Sequence, residues 1–514
     1  MKLFARLLAL LLALMTVLVL VAACNDDPGS AGENGDNSNV IDDRYDINGR
    51  LTDDLPDSLN YNGEKVTILH WNNAGTPEFE QESVTGDNVR DAVYDRNNQI
   101  EDRLNIDLQF FGIRGSGDDR NDFIAHVEAI YQANTQDYDL IAVYARTAGA
   151  LAIQGYYYNL STIQDSYIDL EKPWWPQQLV ETVSFGTGSY YFLSGDMSPN
   201  VLSMMHLMYI NKDMFSKLQI ANPYQLVYDG KWTIDKLIEI TSDVYKDQDN
   251  DNKCSTSDQY GFVALHYVTD SFYPGSNLRY IDKHETDWLT LSPDYTSSKT
   301  VKLINKLGSW AATDSVWLHS SWVEGRDNMW DHADAFAAGN VLVIMQHAYY
   351  AEEWLLDSDF EYGLVPVPKY DEKQVNYYTG MGNPWSLYGI FLDFNQRDDK
   401  AATLSMLSAV IECYASEGYR LITPEVFEVN MQLKYSAGQD ETNMFEFVRS
   451  GIVFDLGKIF LNDLGMIAEL PSMAIYSNAS WSAAYGAYKR SITANLEDIV
   501  ESFREYQRVR DQVG

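Results

Sequence analysis

Residues 138–145 read YDLIAVYA, a near-continuous apolar run of strand-forming residues. An unbroken run, as opposed to an alternating one, marks a strand covered on both faces, as in a parallel sheet between layers of helix. Upstream, DFIAHVEAIYQANTQ (122–136) carries a helical pattern and IDLQFFGI (106–113) a strand. DNVRDAVYDRNNQIEDRLN (87–105) is a second helix, with Val89, Val93, Ile100 and Leu104 on one stripe and Asp87 placed to cap it. EKVTILHW (64–71), between Asn62-Gly63 and NNAG (72–75), opens the series as a strand. Strand, helix, strand, helix, strand implies right-handed crossovers and a mostly parallel sheet. Ligands of such sheets sit beyond the carboxyl ends of the strands. Those ends supply the candidate ligand-binding residues Trp71, Asn72, Asn73, Tyr144 and Arg146.

The 514 residues, 45% hydrophobic, suffice for two or more domains with cores of their own. A net charge of −38 repels phosphate backbones, which argues against nucleic acid as a partner. Twelve Trp and 35 Tyr suit wet binding surfaces as well as cores, because each ring joins an apolar face to a polar edge.

At the start, Lys2 and Arg6 precede an apolar run from Leu7 to Ala23, the pattern of a secretory signal peptide over residues 1–23. Val21-Ala22-Ala23-Cys24 resembles the bacterial lipobox, which implies acylation of Cys24 and a lipid anchor on the outer side of the cytoplasmic membrane. An uncleaved membrane anchor is the alternative. Residues 24–63, rich in Gly, Asn, Asp, Ser and Pro, are expected to be a flexible tether. No later run reaches the ~20 apolar residues of a membrane helix.

Further along, Thr233 is a good cap for a helix starting at Ile234. YGFVAL (260–265), VLVIMQ (341–346), the run from Tyr362 and LYGIFLDF (387–394) read as strands, DKAATLSMLSAVIECYAS (399–416) as a helix, and the last third as helical. The blocks MYINKDMF (208–215), YDGKWTIDKLIEI (228–240), FAAGNVLVIMQ (336–346) and YGLVPVPKYDEKQ (362–374), in this order, resemble the extracellular solute-binding proteins of family 1. These are sugar-binding lipoproteins of bacterial ABC importers. The resemblance covers the chain from about Lys65 onward. It implies an α/β, two-lobe periplasmic-binding-protein-like fold of type II, with the ligand in the cleft between the lobes.

By matching blocks, the chain first crosses between lobes near Pro199–Tyr209, returns near Ala338–Ile344 and crosses last near Tyr378–Tyr388. Lobe one is then 64–200 plus 338–380, and lobe two 201–337 plus 381–514. The resemblance also implies a cleft aromatic after VLVIMQ, here Tyr349 or Tyr350 in HAYY where Trp is usual. Trp385 in GMGNPWSLYG (380–389) would stand at the last crossing. Trp481 in SNASWSAAYG (477–486) would open a helix whose N-terminus faces the cleft. Trp232 beside its cap reads as packing, and Trp310, Trp317, Trp322 and Trp330 as mostly core or lobe surface. The implied activity is capture of a carbohydrate, of oligosaccharide size, by a monomer that passes it to permease subunits. No enzymatic step and no cofactor is required.

One acidic stretch stands apart. DQDNDNKCSTSDQYG (247–261) fits a calcium loop with Asp247, Asp249 and Asp251 at positions one, three and five, the Lys253 carbonyl at seven, Ser255 at nine and Asp258 at twelve. Asn252 replaces the usual Gly at six, and Asp258 the usual Glu. A structural calcium and a solvated acidic turn are both open. Cys254 and Cys413 are expected to be unpaired and mostly buried.

Three rivals remain. A secreted glycosidase needs two carboxylates across one bond, which adjacent Glu352 and Glu353 on a helix do not provide. Neither H-E-x-x-H nor G-x-S-x-G occurs. A binding protein for a peptide or other small solute differs only in its guest, and an adhesion lipoprotein has no need of the two-lobe order.

Overall fold

The computed structural model describes residues 44–513 except 76, 136, 187, 252, 285–287, 321–327, 393–398 and 427–437. The expected signal peptide, Cys24, Asn252 and Trp322 lie outside the described residues. Strand β1 (Glu64–Trp71) pairs in parallel with β2 (Ile106–Ile113), from Glu64 opposite Ile106 to Trp71 opposite Ile113. It also pairs in parallel with β3 (Leu140–Tyr144), every residue of which is buried. Helix α1 (Asn88–Leu104) connects the first two strands. The Asp87 side chain accepts from the Arg90 N–H, and Val89, Val93, Ile100 and Leu104 face the core, as the stripe predicts. Helix α2 (Arg120–Ala133) connects the next two. A fourth strand, β11 (Ser386–Ile390), joins β3 antiparallel and gives the order β11-β3-β1-β2.

The second sheet has the order β10-β4-β9-β5-β8, with β4 His206–Asn211, β5 Tyr260–Leu265, β8 Val316–His319, β9 Val341–His347 and β10 Tyr362–Val365. Its β5 is parallel to β8 and β9, whereas β4 runs antiparallel to β9 and β10. A hairpin of β6 (Ile281–His284) and β7 (Trp288–Leu291) is separate. The helix at Ile234–Thr241 is capped by the Thr233 side chain, which accepts from the Lys236 N–H, as expected. Trp232 is fully buried with its indole N–H on the Pro366 carbonyl (2.8 Å).

The two sheets form two lobes, but the expected division of the chain needs correction. Residues 338–380 were assigned to lobe one, yet β9 and β10 belong to the second sheet. Residues 381–514 were assigned to lobe two, yet β11 completes the first sheet and helix α3 (Lys400–Glu417) packs on α1. The C-terminal helix α4 (Trp481–Val513) begins on lobe two, with the Trp481 indole on the Tyr295 carbonyl, and ends on lobe one, where Phe503 stacks on Phe185 at 4.4 Å. An apolar run reports how deeply a strand is buried, not which sheet receives it. All seven residues of β9 are buried because it lies between β4 and β5.

Three segments run side by side between the lobes. The His206 N–H donates to the Gly380 carbonyl (3.0 Å) and the Gly382 N–H to the Met204 carbonyl (2.8 Å). The Thr379 N–H donates to the Gly451 carbonyl (2.8 Å), and the Val453 N–H to Thr379 (3.0 Å). Glycine is required at 382, where a β-carbon would lie 2.6 Å from the His347 ring. This three-stranded bundle is the hinge.

The expected tether also ends earlier than predicted. Asp53 and Leu55 are buried, and Arg103 donates to both Asp53 oxygens (2.5 and 2.7 Å). The Tyr61 and Gly63 N–H groups bond to the Leu104 and Asn105 carbonyls (2.9 and 2.7 Å). A composition rich in turn residues hid an ion pair with a partner fifty residues on.

Candidate functional site

A cavity of about 440 Å³ opens between the lobes at the hinge. From lobe one come Asn73, just past β1, Asp87 and Arg90 at the start of α1, and Ser116 after β2. From lobe two come Trp330 and, just past β9, Tyr349, Glu352 and Glu353. Ser203, Met204 and Pro384 close its floor at the crossings. β1 and β9 thus aim their carboxyl ends at one space.

Tyr349 is set by the hinge itself. Its N–H donates to the Ser203 carbonyl (3.1 Å), and its ring stacks on His347 at 5.5 Å. Burial, with Tyr267 and Glu353 nearby, pushes its hydroxyl well above the usual phenol range. Trp330 is half-buried and braced by Trp354, 4.8 Å between ring centroids. Burial raises the Glu353 carboxyl. The walls therefore offer two aromatic rings for C–H faces, carboxylates and a guanidinium for hydroxyl rims, and hydroxyl and amide groups between them.

Of the nine residues expected to contact ligand, Asn73 and Tyr349 line this cavity. Asn73 accepts from the Gly115 N–H (3.0 Å), and exposed Asn72 donates to the Gly112 carbonyl (3.0 Å) outside the cavity. Trp71 is 1% exposed and donates its indole N–H to the Ser386 hydroxyl (2.7 Å), tying β1 to β11. Tyr144 is buried against Trp71. Arg146 donates to Glu469 (3.0 Å) and to the Asn383 carboxamide oxygen (3.2 Å from Nε), so its charge is matched within the protein. Tyr350 is fully buried with its hydroxyl on the Ala333 carbonyl (2.8 Å). Trp385 is buried against Phe454. Trp481 opens its helix as expected, but packs against Tyr295 and Tyr485 in lobe two instead of facing the cavity.

Sequence reading missed Asp87, Arg90, Ser116, Glu352 and Glu353 as lining residues. A signal existed for four of them. Helices that follow strands of a parallel sheet start at its ligand-binding edge, so Asp87 marked the cavity as well as the cap. Trp330 was read with the core tryptophans, of which Trp310 and Trp317 are indeed buried.

The aspartate loop lies at the amino end of β5, the edge away from the cavity. A mutual pair of hydrogen bonds between Lys246 and Gln259 (3.0 Å each) closes it. Carboxylate oxygens of Asp247, Asp249 and Asp258 lie within 4.8 Å of one another. Asp258 is fully buried and accepts from the Gln248 and Ser255 N–H groups (2.9 and 3.0 Å). Asp251 is outside that triplet and accepts from the Lys253 N–H (2.7 Å). The Ser255 hydroxyl donates to Asp258 (3.1 Å). Calcium takes about six to eight oxygen ligands, so this triplet is only part of such a coordination sphere. Cys254 is exposed, contrary to expectation, and Cys413 is buried beside Arg103.

No protein-family model matches the sequence, and no curated protein matches it. Solved structures do share the architecture. The chain is similar to UgpB from Mycobacterium tuberculosis, solved with glycerophosphocholine: 13% identity, 79% of this chain and 95% of that one, TM-score 0.52. It is similar to the galacto-N-biose-/lacto-N-biose I-binding protein of an ABC transporter from Bifidobacterium longum, solved with lacto-N-biose: 11% identity, 85% and 98%, TM-score 0.51. It is also similar to a family 1 extracellular solute-binding protein from Bifidobacterium longum subsp. infantis: 13% identity, 84% and 100%, TM-score 0.50. These likenesses establish the fold as that of solute-binding proteins. No helix among the described residues is long and apolar enough to cross a membrane.

Proposed function

We propose that this protein is the extracytoplasmic solute-binding component of an ABC importer, that it captures a carbohydrate of oligosaccharide size, and that it delivers this to permease subunits. The observation that carries the reading is a cavity of about 440 Å³ walled by both lobes at a three-segment hinge. That volume lies in the usual range for small-molecule sites. A guest that touches both walls stabilises one angle between the lobes, and a permease can distinguish that angle from others. Two ring faces and several charge-assisted hydrogen bonds suffice for a micromolar guest, which requires about −8 kcal/mol. Like structures solved with oligosaccharides support the carbohydrate.

The reading includes a monomer tethered through a lipid on Cys24, and a calcium ion on Asp247, Asp249 and Asp258 that fastens the loop without touching the guest. A Cys24→Ala chain is expected in the medium instead of the membrane fraction. A small polar solute other than sugar is the second reading, since UgpB was solved with glycerophosphocholine. Titration of pooled oligosaccharides against pooled peptides and glycerophosphodiesters, read by calorimetry, decides between them. Binding by the peptides or diesters alone removes the carbohydrate. Cleaved sugar in the same tubes replaces capture with hydrolysis.

A further inference from the structure

The two walls of the cavity of about 440 Å³ differ in charge. On lobe one, Asp87 and Arg90 stand together at the start of α1, where the Asp87 carboxylate accepts the Arg90 N–H (2.9 Å). That wall carries one charge of each sign. On lobe two, Glu352 and Glu353 follow Tyr349, and no lysine or arginine from that lobe joins them among the described lining residues. The histidines packed on the rings of this wall do not supply a positive charge. His347, stacked on Tyr349, and His332, stacked on Trp330 (6.2 Å), are held neutral by burial. Glu353 stands near the Tyr349 hydroxyl, and burial raises its carboxyl with no cation to offset the rise. Trp330 is fixed by Trp354 (4.8 Å), so its ring is in place before a guest arrives.

A guest laid over this wall displaces water from Glu353. Neutral hydroxyls return hydrogen bonds but leave the charge uncompensated, which is costly. A protonated amine returns both, and the faces of tryptophan and tyrosine attract it as well. We propose that the guest is an aminated carbohydrate, whose protonated amine lies against the Trp330 and Tyr349 rings and pairs with Glu353. Asp87 and Arg90 meet its hydroxyl rim from the other lobe, where one accepts and the other donates. The overall charge of −38 draws cations toward the mouth of the cavity. The proposal rests on the capture reading and narrows its substrate class.

Calorimetric titration of the full chain with tetramers of glucosamine and of galactosamine, each beside its N-acetylated counterpart, isolates the charge. Acetylation removes it while the sugar ring and the linkage stay. At about pH 6.5, where a primary amine is protonated, the aminated tetramer should bind roughly tenfold tighter or more. That advantage should shrink several-fold between about 0.05 and 0.5 M salt. Glu353→Gln, which keeps the shape and loses the charge, should remove most of it. Trp330→Leu should weaken the aminated form more than the acetylated one, and covers the case of a Gln variant that does not fold. Acetylated tetramers that bind as tightly as aminated ones overturn the proposal, as does an advantage that survives Glu353→Gln. Choline, a cation without a sugar, separates the two readings. Choline bound alone, and lost in Glu353→Gln, removes carbohydrate capture and leaves the cation-binding wall standing. Acetylated tetramers bound alone remove that wall and leave capture standing. No binding by choline or by any aminated tetramer overturns the proposal.

Discussion

Replacing Tyr349 with alanine should separate the cleft from the core. The ring is held by a backbone bond to Ser203 and by stacking on His347, so a guest in the proposed site would meet it already ordered. Loss of one aromatic contact and its buried area is worth roughly 1–2.5 kcal/mol, or about 5- to 70-fold in Kd. Its partial exposure means little loss of stability. Trp481 makes the opposite case, being 2% exposed with its indole N–H on the Tyr295 carbonyl (2.9 Å). Trp481→Ala should cost roughly 3–5 kcal/mol of folding. With about 2.1 cal/mol/K per residue over roughly 460 residues, that lowers Tm by about 3–5 °C. Calorimetric titration with the best oligosaccharide of the panel and a thermal scan measure both variants. If Tyr349→Ala binds normally while Trp481→Ala loses affinity at unchanged Tm, the cleft has been placed on the wrong surface.

Arg103→Ala should destabilise by about 3–5 kcal/mol, because it leaves buried Asp53 without its partner, and should open residues 50–63 to proteolysis. An unchanged digestion pattern would refute the anchoring role. Glu412, buried under the Trp174 and Trp175 indoles, is pushed up to about 7 from an ordinary value of 4.5. The folded state therefore binds the extra proton, and stability declines as pH rises from 4.5 through 7, by up to about 1.4 kcal/mol per unit. Denaturant titrations of Glu412→Gln should lack that component of the slope. A calcium chelator should lower Tm yet change solute Kd less than about twofold, since the aspartate loop stands at the far end of β5; a chelator without thermal effect would remove the ion.

What could be read before folding was local. The covered run at 138–145, the caps Asp87 and Thr233, and the stripe from Val89 to Leu104 depend on residues within a turn or a strand of one another. Strand β11 was visible as a strand, but its pairing partner β3 lies more than two hundred residues earlier, and no nearby residue announces it. The same holds for the aromatic candidates. A tryptophan serves a core and a sugar face equally well, and only the surrounding elements decide which; they bury Trp71, Trp385 and Trp481 and leave Tyr349 at the cavity wall.

Sequence by itself thus determined the elements, the parallel character of the first sheet and the edge at which the cavity opens, because hydrophobic period and capping act over a few residues. Tertiary structure alone decided which lobe owned β9 to β11, that the tether stops at Asp53, and that the Asp270 carboxylate meets the Lys458 ammonium from a distant segment at the crossings. Those outcomes are set by packing between segments far apart in the chain, where burial and charge depend on what arrives from elsewhere.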